Sequence, residues 1–377
     1  MIRKIWLISL IICFLFFSSG CWDKKEIEEQ AFVIGLALDK GNKQDNNIIV
    51  TFQIALPQAF VAEAQSDEPF WNISMEAANI TEAEYQLTKE MNQIPNLEHC
   101  QVILIGEELA REGLNEYLDF LIRTHEVRRM INIGIVQGKA KDVLNIDFKT
   151  ALIPSFVISE MMSDNSKRNL ELTNFMNIGK LHMADTLGYD FILARVIALN
   201  DKLDMSGGSV FRGMKMVGWL SGEEIKGIRF LRGDVGSGSL DIELPEEIGK
   251  RAMLRIFEAQ SILEPEIRDG RLIAKLKLRI EGDITEIISD NENLGETELL
   301  KRIQKLFEND IKKKVEKSFK KVQQEYGCDP FMLKEKTKSY YPEFWRQNNE
   351  ILDEIYRSAK LEIEARVLVR RIGEIRH

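Results

Sequence analysis

The sequence predicts an α+β protein of three mixed α/β domains, the last of which is an antiparallel sheet packed by a long helix. Two segments near the C-terminus, 272–280 and 361–369, alternate apolar with charged residues, which is typical of strands with one solvent-exposed face. Between them, 296–325 carries apolar residues at helical spacing and predicts one long amphipathic helix. A sheet with one polar face and one covering helix is an α+β layer arrangement.

Residues 21–199 are predicted to form the N-terminal α+β domain. The run 102–106 is apolar throughout, as in a strand covered on both faces, and a short polar turn between the first two strands predicts a hairpin. Gly113 divides one helical segment, and Pro95 ends another. The predicted strands cover 31–39, 48–55, 102–106, 131–135 and 191–199, and the predicted helices cover 76–93, 107–126, 139–146, 151–163 and 173–184.

Glycines become frequent and strands become short near the centre of the chain, which predicts a small middle domain over 200–249. This domain has predicted strands at 215–220 and 240–244 and a short helix at 223–231. A proline-containing junction then leads into the C-terminal α+β domain, which is predicted over 250–377.

Composition indicates a folded, acidic protein. The 377 residues are 44% hydrophobic and 29% charged, which excludes a disordered chain. The 51 Lys and Arg residues are outnumbered by 60 Asp and Glu residues, so the formal net charge is −9. An acidic chain without a basic block is a poor candidate for nucleic-acid binding, and we expect no nucleic-acid partner.

The extreme N-terminus is predicted to be a lipoprotein signal peptide over 1–20. Arg3 and Lys4 precede an uncharged, mostly apolar run at 5–17. This run has the length of a signal-peptide core and is too short for a spanning helix, which needs about 20 apolar residues. The segment therefore predicts export of the rest of the chain.

A run of small residues follows and ends in Gly20, directly before Cys21. This arrangement resembles the bacterial lipobox, with Ser18 in place of the usual leucine. We predict signal cleavage between Gly20 and Cys21 and lipidation of the Cys21 sulfur. The alternative is a short, uncleaved signal anchor with an incidental cysteine. No later segment approaches 18 consecutive apolar residues, so the remainder is predicted to be a soluble body on a tether.

Two further cysteines, Cys100 and Cys328, lie far apart in the sequence. A disulfide between them would be chemically allowed outside the membrane, but sequence separation does not show whether the two sulfurs meet. Two buried thiols that behave as small hydrophobic groups are the favoured interpretation.

The sequence carries no recognisable catalytic constellation. It has neither a G-x-S-x-G elbow nor a Walker A loop, and none of its histidines has the spacing of a zinc site. We therefore predict no enzyme activity, no catalytic residue, no metal site and no cofactor apart from covalent lipid. The histidines are His99, His125, His182 and His377.

Two surface features remain open. The polar face of 296–325 carries several lysines interleaved with acidic residues, which favours a solvated face with ion pairs over contact with anionic lipid headgroups. The aromatic cluster at 340–345 would suit either an interface or a core beneath a loop, and the core is favoured.

A series of short motifs runs along the chain from Cys21 to Gly373. They are CWDKKE at 21–26 with the strand 32–39, HCQVILIGEELAREG at 99–113, LDFLIR at 118–123, 138–144, VFRGMKMVGWL at 210–220, 222–224, 231–233, KVQQEY at 321–326, and the later Tyr341, Pro342 and Trp345. Together with the lipobox-like segment, these motifs resemble the Ger(x)C family, the C-subunit lipoproteins of spore germinant receptors.

The resemblance implies a three-domain α+β body that is lipid-anchored on the outer face of the spore inner membrane. It also implies assembly with two integral-membrane partners, the A and B subunits, into a nutrient-sensing receptor. The family assigns no catalytic residue, so only Cys21 is carried over as a functional residue. The expected lipids on Cys21 are a diacylglycerol on the sulfur and, where the amino group is also acylated, an N-acyl chain.

Two other functions are compatible with the same residues. A solute-binding lipoprotein would share the anchor and the N-terminal α/β elements. A surface hydrolase is suggested only by the abundance of carboxylates.

Overall fold

The computed structural model of the protein contains two β-sheets with helices packed on their faces. The structure describes residues 6, 29–41, 47–60, 68–124, 126–148, 152–163, 169–173, 176–200, 202–288 and 296–372. Apart from Trp6, the signal peptide predicted at 1–20 lies outside the described residues, and so does Cys21.

The larger sheet has ten strands in the described chain. They are β1 (Gln30–Lys40), β2 (Ile48–Ala55), β3 (Phe70–Ala77), β4 (Ile94–Asn96), β5 (Val102–Gly106), β6 (Asn132–Val136), β7 (Phe191–Leu199), β8 (Lys202–Asp204), β9 (Gly208–Arg212) and β10 (Lys215–Leu220). The order is β10-β9-β7-β6-β5-β1-β2-β3, with β4 paired to β1 and β8 to β7. The predicted hairpin β1–β2 is antiparallel, whereas β4, β5, β6 and β7 run parallel to β1.

Helices cover both faces of this sheet. They are α1 (Ile80–Glu90), α2 (Glu107–Glu112), α3 (Asn115–Arg123), α4 (Ala140–Val143), α5 (Pro154–Ser163) and α6 (Ile178–Leu187). Alternate residues of β5 enter two different cores: Ile103 packs with α1, α3 and α6, while Leu104 packs with α4 and α5. The prediction that 102–106 is covered on both faces is confirmed.

The smaller sheet has the order β11-β12-β13-β14. This part of the chain comprises α7 (Gly222–Arg232), β11 (Gly238–Glu243), β12 (Arg251–Arg268), β13 (Arg271–Ile288), α8 (Glu296–Lys320), a π-helical turn (Lys321–Glu325), α9 (Leu333–Tyr340), α10 (Pro342–Asn348), α11 (Leu352–Ser358) and β14 (Lys360–Ile372). One stripe of α8 is buried against the sheet, as its spacing predicts. Burying each such large apolar side chain stabilises the fold by about 1.5–3 kcal/mol. The stripe consists of Leu299, Ile303, Phe307, Ile311, Val315 and Phe319, with Val322 in the turn that follows.

The predicted α+β class is confirmed, but the prediction of a wholly antiparallel C-terminal sheet is wrong for one pair. β14 runs parallel to β13, from Ile273 opposite Lys360 to Ile284 opposite Ile372. Two parallel neighbours need a crossover connection, and α8 with the helices after it supplies one. Alternation of apolar and charged residues predicts that one face of a strand is exposed to solvent, but it does not predict the direction of the neighbouring strand.

Two long strands were missed for local reasons. β3 overlaps the start of the helix predicted at 76–93, and that helix itself begins only at Ile80. β12 has a bulge between Ile256 and Glu258, which breaks the alternation of its apolar residues. Pro265 also argues against a strand, but it lies beyond the part of β12 that β11 pairs with, where no described strand pairs with the other side of β12.

The segment 200–249 contributes strands to both sheets, with β9 and β10 in the larger sheet and β11 in the smaller one. The three-part division at 200 and 250 stays a proposal for the domain boundaries. The favoured assignment of the aromatic cluster at 340–345 to a core is wrong, since Tyr340 is 60% exposed and α10, which carries Phe344 and Trp345, has no buried residue.

A close crossing of α7 and α8 joins the two sheets. Gly227 of α7 faces α8 so closely that an added Cβ would lie 2.5 Å from the Lys314 carbonyl oxygen and also collide with Ser318. The Ser318 hydroxyl lies 2.8 Å from the carbonyl oxygens of both Glu224 and Lys314. Glycine in a helix interior costs about 1 kcal/mol relative to alanine, and here it allows the two backbones to approach.

The chain after α8 also closes the free edge of the larger sheet. The Tyr326 hydroxyl donates a hydrogen bond to the Trp219 carbonyl oxygen of β10 at 2.8 Å. The Tyr326 ring covers Gly218, where a Cβ would lie 2.6 Å from the hydroxyl oxygen. An edge strand with free carbonyl groups is a site of unwanted pairing, and this contact protects β10 from it.

A buried carboxyl, Asp329, lies at the same junction and is 3% exposed. It accepts hydrogen bonds from the backbone N–H groups of Phe331 at 3.3 Å and Lys334 at 2.7 Å, at the start of α9. Its own N–H donates to the Asp190 carboxylate at 2.8 Å. Burial raises the pKa of Asp329 from 3.8 to about 6, against the opposing effect of the backbone N–H groups.

We expect the Asp329→Asn variant to lose part of the pH dependence of stability. Because the folded-state pKa of Asp329 is above its unfolded value, the stabilisation is complete below about pH 4 and is lost as the pH rises through about 6. Each pKa unit corresponds to about 1.4 kcal/mol, so this group accounts for roughly 3 kcal/mol at most. Urea unfolding between pH 4 and pH 7 measures the difference from the wild type. Asp119→Asn, which removes an exposed carboxylate, is the control, and an unchanged pH slope in Asp329→Asn would refute the assignment.

Candidate functional site

The parallel strands place their N-terminal ends together at one end of the larger sheet, which we call the amino end. β1 begins there at Gln30, paired with Ile94 of β4, and β5, β6 and β7 begin at the same end. The described body starts at Glu29, so the chain that leads from Cys21 arrives at the amino end. Groups exposed at this end therefore share it with Glu29, the described residue that follows the predicted lipidation site most closely in the sequence.

An open groove of about 800 Å³ runs between α1 and α3 towards the amino end. Two of its lining side chains are apolar and well exposed: Tyr85 is 64% exposed and Ile94 is 53% exposed. Four carboxylates and one guanidinium share the groove with them, so its charge is mostly negative. The charged lining residues are Glu84, Glu116, Asp119, Arg123 and Glu126.

Glu84 is the electrostatically unusual member of this groove. Burial raises the pKa of its carboxyl from 4.5 to about 7, and the negative charge of Glu126 adds to the effect. Glu84 consequently binds or releases a proton near neutral pH. A cationic group that enters the groove would favour the ionised form of Glu84.

The loop before β6 exposes two arginines and a methionine, which we call the basic tip: Arg128, Arg129 and Met130. Buried Val127 and Ile131 flank the tip, and the Ile131 N–H donates to the Arg128 carbonyl oxygen at 3.2 Å. The Met130 side chain is 70% exposed. The basic tip is therefore a fixed feature of the amino end rather than a loosely tethered loop.

The opposite end of the sheet holds a second pocket of about 410 Å³. Asp39 lies there at the end of β1 and accepts hydrogen bonds from the N–H groups of Ala140 at 2.6 Å and Lys141 at 2.9 Å. Burial raises the pKa of Asp39, and these two bonds oppose the shift. Gly106 leaves the space that the carboxylate occupies, since a Cβ there would collide with it. The carboxyl of Asp39 therefore caps the first turn of α4.

The sequence-predicted site residues have different outcomes. Gly20 and Cys21 lie outside the described residues, so cleavage and lipidation stay predictions. Cys100 and Cys328 are buried free thiols, 4% and 0% exposed, as favoured. Burial raises the pKa of each thiol to about 12, which makes both unreactive at neutral pH.

Neither a metal-binding cluster nor a membrane-spanning helix occurs among the described residues. Within the described ranges, no cluster of three or more His, Cys, Asp or Glu side chains is arranged to hold a metal ion. Within the same ranges, no helix combines the length and the apolar character needed to cross a bilayer.

Two family models match the chain and together cover most of it. The model "Spore germination protein N-terminal domain" matches residues 23–197, and the model "Spore germination B3/ GerAC like, C-terminal" matches residues 206–373. The chain belongs to the Ger(x)C family of spore germination proteins. The predicted resemblance to germinant-receptor C subunits is thereby confirmed.

Relatives of this Ger(x)C protein match it over most of their length. In Bacillus subtilis (strain 168), spore germination protein B3 is 27% identical over 343 residues, which is 89% of this chain and 90% of that protein. Spore germination protein A3 of the same strain is 26% identical over 375 residues, 98% of each chain. The crystal structure of the GerBC protein has a TM-score of 0.60 at 22% identity, covers 92% of this chain and 100% of that one, and shows a shared fold.

The groove and the basic tip were not identified from the sequence. The groove combines side chains from Thr81 to Glu126, which only the packing of α1 beside α3 brings together. The tip had a local signal, since two consecutive arginines and a methionine directly precede a predicted strand. That signal identifies a loop, but it does not say at which end of the molecule the loop lies.

Proposed function

We propose that this Ger(x)C protein is a lipid-anchored, non-enzymatic subunit of a spore nutrient germinant receptor. Diacylglycerol on Cys21 would hold the body on the outer face of the spore inner membrane, where it assembles with the integral-membrane A and B subunits. The observation that carries the proposal is the match of both family models along the chain, beginning two residues after Cys21.

The length of the tether supports this arrangement. Eight peptide steps separate Cys21 from Glu29, and a fully extended chain spans at most about 3.6 Å per residue, or roughly 29 Å. A lipid on Cys21 would therefore keep the amino end close to the bilayer surface. Tethering raises the effective concentration of the body next to membrane partners, so assembly needs less contact area.

The positions of the buried carboxyls support a role without catalysis. Asp39 and Asp329 are the kind of buried acid that can serve in general acid–base chemistry. Each already accepts hydrogen bonds from backbone N–H groups at the start of a helix, which accounts for its burial. Their geometry is that of structural caps.

Crosslinking in intact spore membranes tests the assembly. A photoreactive residue at Ile94, at the amino end, should capture the A or B subunit, identified by mass spectrometry. The same residue at Leu199 is the matched control, because both side chains are 53% exposed and Leu199 ends β7 at the opposite end of the sheet. Capture of neither subunit from Ile94, or equal capture from both positions, would contradict assembly through the amino end.

Solute binding is the second candidate function, and one observation favours it. The 410 Å³ pocket lies where parallel strands end, which is a common position for ligands in α/β sheets. Exposed Lys139 and partly exposed Lys141 line it and would suit a carboxylate-bearing solute. Calorimetry of the protein against amino acids and sugars tests this function. Binding that Lys139→Gln and Lys141→Gln both weaken would support it, and absence of heat would remove it.

A further inference from the structure

We propose that the basic tip formed by Arg128, Arg129 and Met130 is a contact site for anionic lipid headgroups. This inference rests on the proposed function, because the lipid on Cys21 is what brings the amino end to the membrane. Contact through the basic tip would be a second point of attachment to the membrane, besides the lipid on Cys21. Two points of attachment would orient the body as well as retain it.

The chemistry of the tip matches a bilayer surface. Neither guanidinium has an ion-pair or hydrogen-bond partner among the described residues, and both side chains are exposed. Arginine binds phosphate through a planar fork of N–H groups. Met130, 70% exposed, adds an apolar side chain that can enter the headgroup layer. Each basic residue at an anionic surface strengthens association about fivefold.

The backbone holds the tip in an outward position. The Gly179 N–H, in the first turn of α6, donates to the Arg129 carbonyl oxygen at 2.9 Å. The Asn177 amide contacts the Met130 sulfur at 3.5 Å. Because the loop is already ordered, little conformational entropy is lost when it meets the membrane.

The basic tip has one acidic residue close by in the sequence, on the side of the groove. Glu126 is the acidic neighbour closest in sequence, and it lines the groove, where its charge acts on Glu84. Anionic lipid is favoured over an acidic protein segment as the occupant, since the tip lies at the end of the sheet where β1 begins, soon after the proposed lipidation site at Cys21 in the sequence.

A fluorescent probe on the full-length, processed protein tests the proposal. Met130→Cys can be labelled selectively, because Cys21 is acylated, Cys13 leaves with the signal peptide, and Cys100 and Cys328 are buried. The labelled protein is reconstituted into vesicles of phosphatidylglycerol and phosphatidylcholine that carry a lipid-attached quencher. We expect quenching at position 130 to exceed by at least about threefold the quenching of the matched Leu199→Cys label at the opposite end of the sheet.

Charge variants separate headgroup contact from simple proximity. Arg128→Gln with Arg129→Gln should reduce quenching at position 130, and so should vesicles of phosphatidylcholine alone or high salt. Arg366→Gln with Arg371→Gln removes the same charge from β14 and should leave quenching unchanged. Equal effects of the two double variants would overturn the proposal.

The remaining outcomes distinguish this inference from the proposed function. Protein that floats with the vesicles but shows no quenching at position 130 would overturn the tip contact and leave the anchor intact. Protein that does not float would overturn the anchor and the tip contact together. A probe that is unquenched in vesicles but shielded in native membranes would assign the tip to a protein partner and overturn the lipid contact.

Discussion

Replacing Cys21 by alanine is expected to release the body from the membrane and to slow nutrient germination about tenfold or more, since acyl chains contribute about 0.8 kcal/mol per buried methylene. Two chains give stable anchoring, whereas the body without them has only surface contacts. Fractionation of spore membranes measures retention, and loss of refractility in response to nutrients measures germination.

Two further variants make this result interpretable. In the first, an ordinary cleavable secretory signal replaces residues 1–20 and alanine replaces Cys21, so that an uncleaved apolar segment cannot substitute for the lipid. In the second, Ser19→Ala keeps a small residue one position before Gly20, which precedes the cleavage site, and should behave as the wild type. If the first variant stayed in the membrane and germinated normally, the anchored-subunit account would be wrong.

Replacing Gly227 by valine is expected to destabilise the protein by about 4 kcal/mol. Overpacking a close contact costs up to about 3 kcal/mol, and loss of the Ser318 hydrogen bond adds about 1 kcal/mol. The added atoms would meet the Lys314 carbonyl oxygen, which is backbone and cannot rotate away. Urea unfolding followed by circular dichroism measures the change.

A double-mutant cycle identifies the contact as the cause. In a Ser318→Ala background, part of the collision is removed, so Gly227→Val should cost less than it does in the wild type. Gly236 has no atom within 4 Å of an added Cβ, and Gly236→Ala is the control, with an expected change within about 0.5 kcal/mol. Strict additivity of Gly227→Val and Ser318→Ala would show that α7 and α8 are not in direct contact there.

Elements with a strong local pattern could be predicted from the sequence. The stripe of α8 is visible in the spacing from Leu299 to Phe319, and the apolar run of β5 indicates burial on both faces. The β1–β2 hairpin follows from two strands joined by a short polar turn. In each case, residues close in the chain determine the structure.

Features that depend on distant residues could not be predicted. The parallel pairing of β14 with β13 depends on where α8 packs, and the alternation in β14 is the same for either direction. Gly227 is an unremarkable helix glycine until Ser318 is placed against it. The raised pKa of Glu84 likewise depends first on its burial by the packing of the fold and then on the charge of Glu126, which lies far from it in the sequence.

Mass spectrometry of the natural polypeptide isolated from spore membranes tests the account most directly. If Cys21 is the lipid anchor, the isolated chain begins at position 21 and carries diacylglycerol joined to the cysteine sulfur through a thioether. An unmodified thiol at that position, or a chain that retains its first twenty residues, would contradict the account.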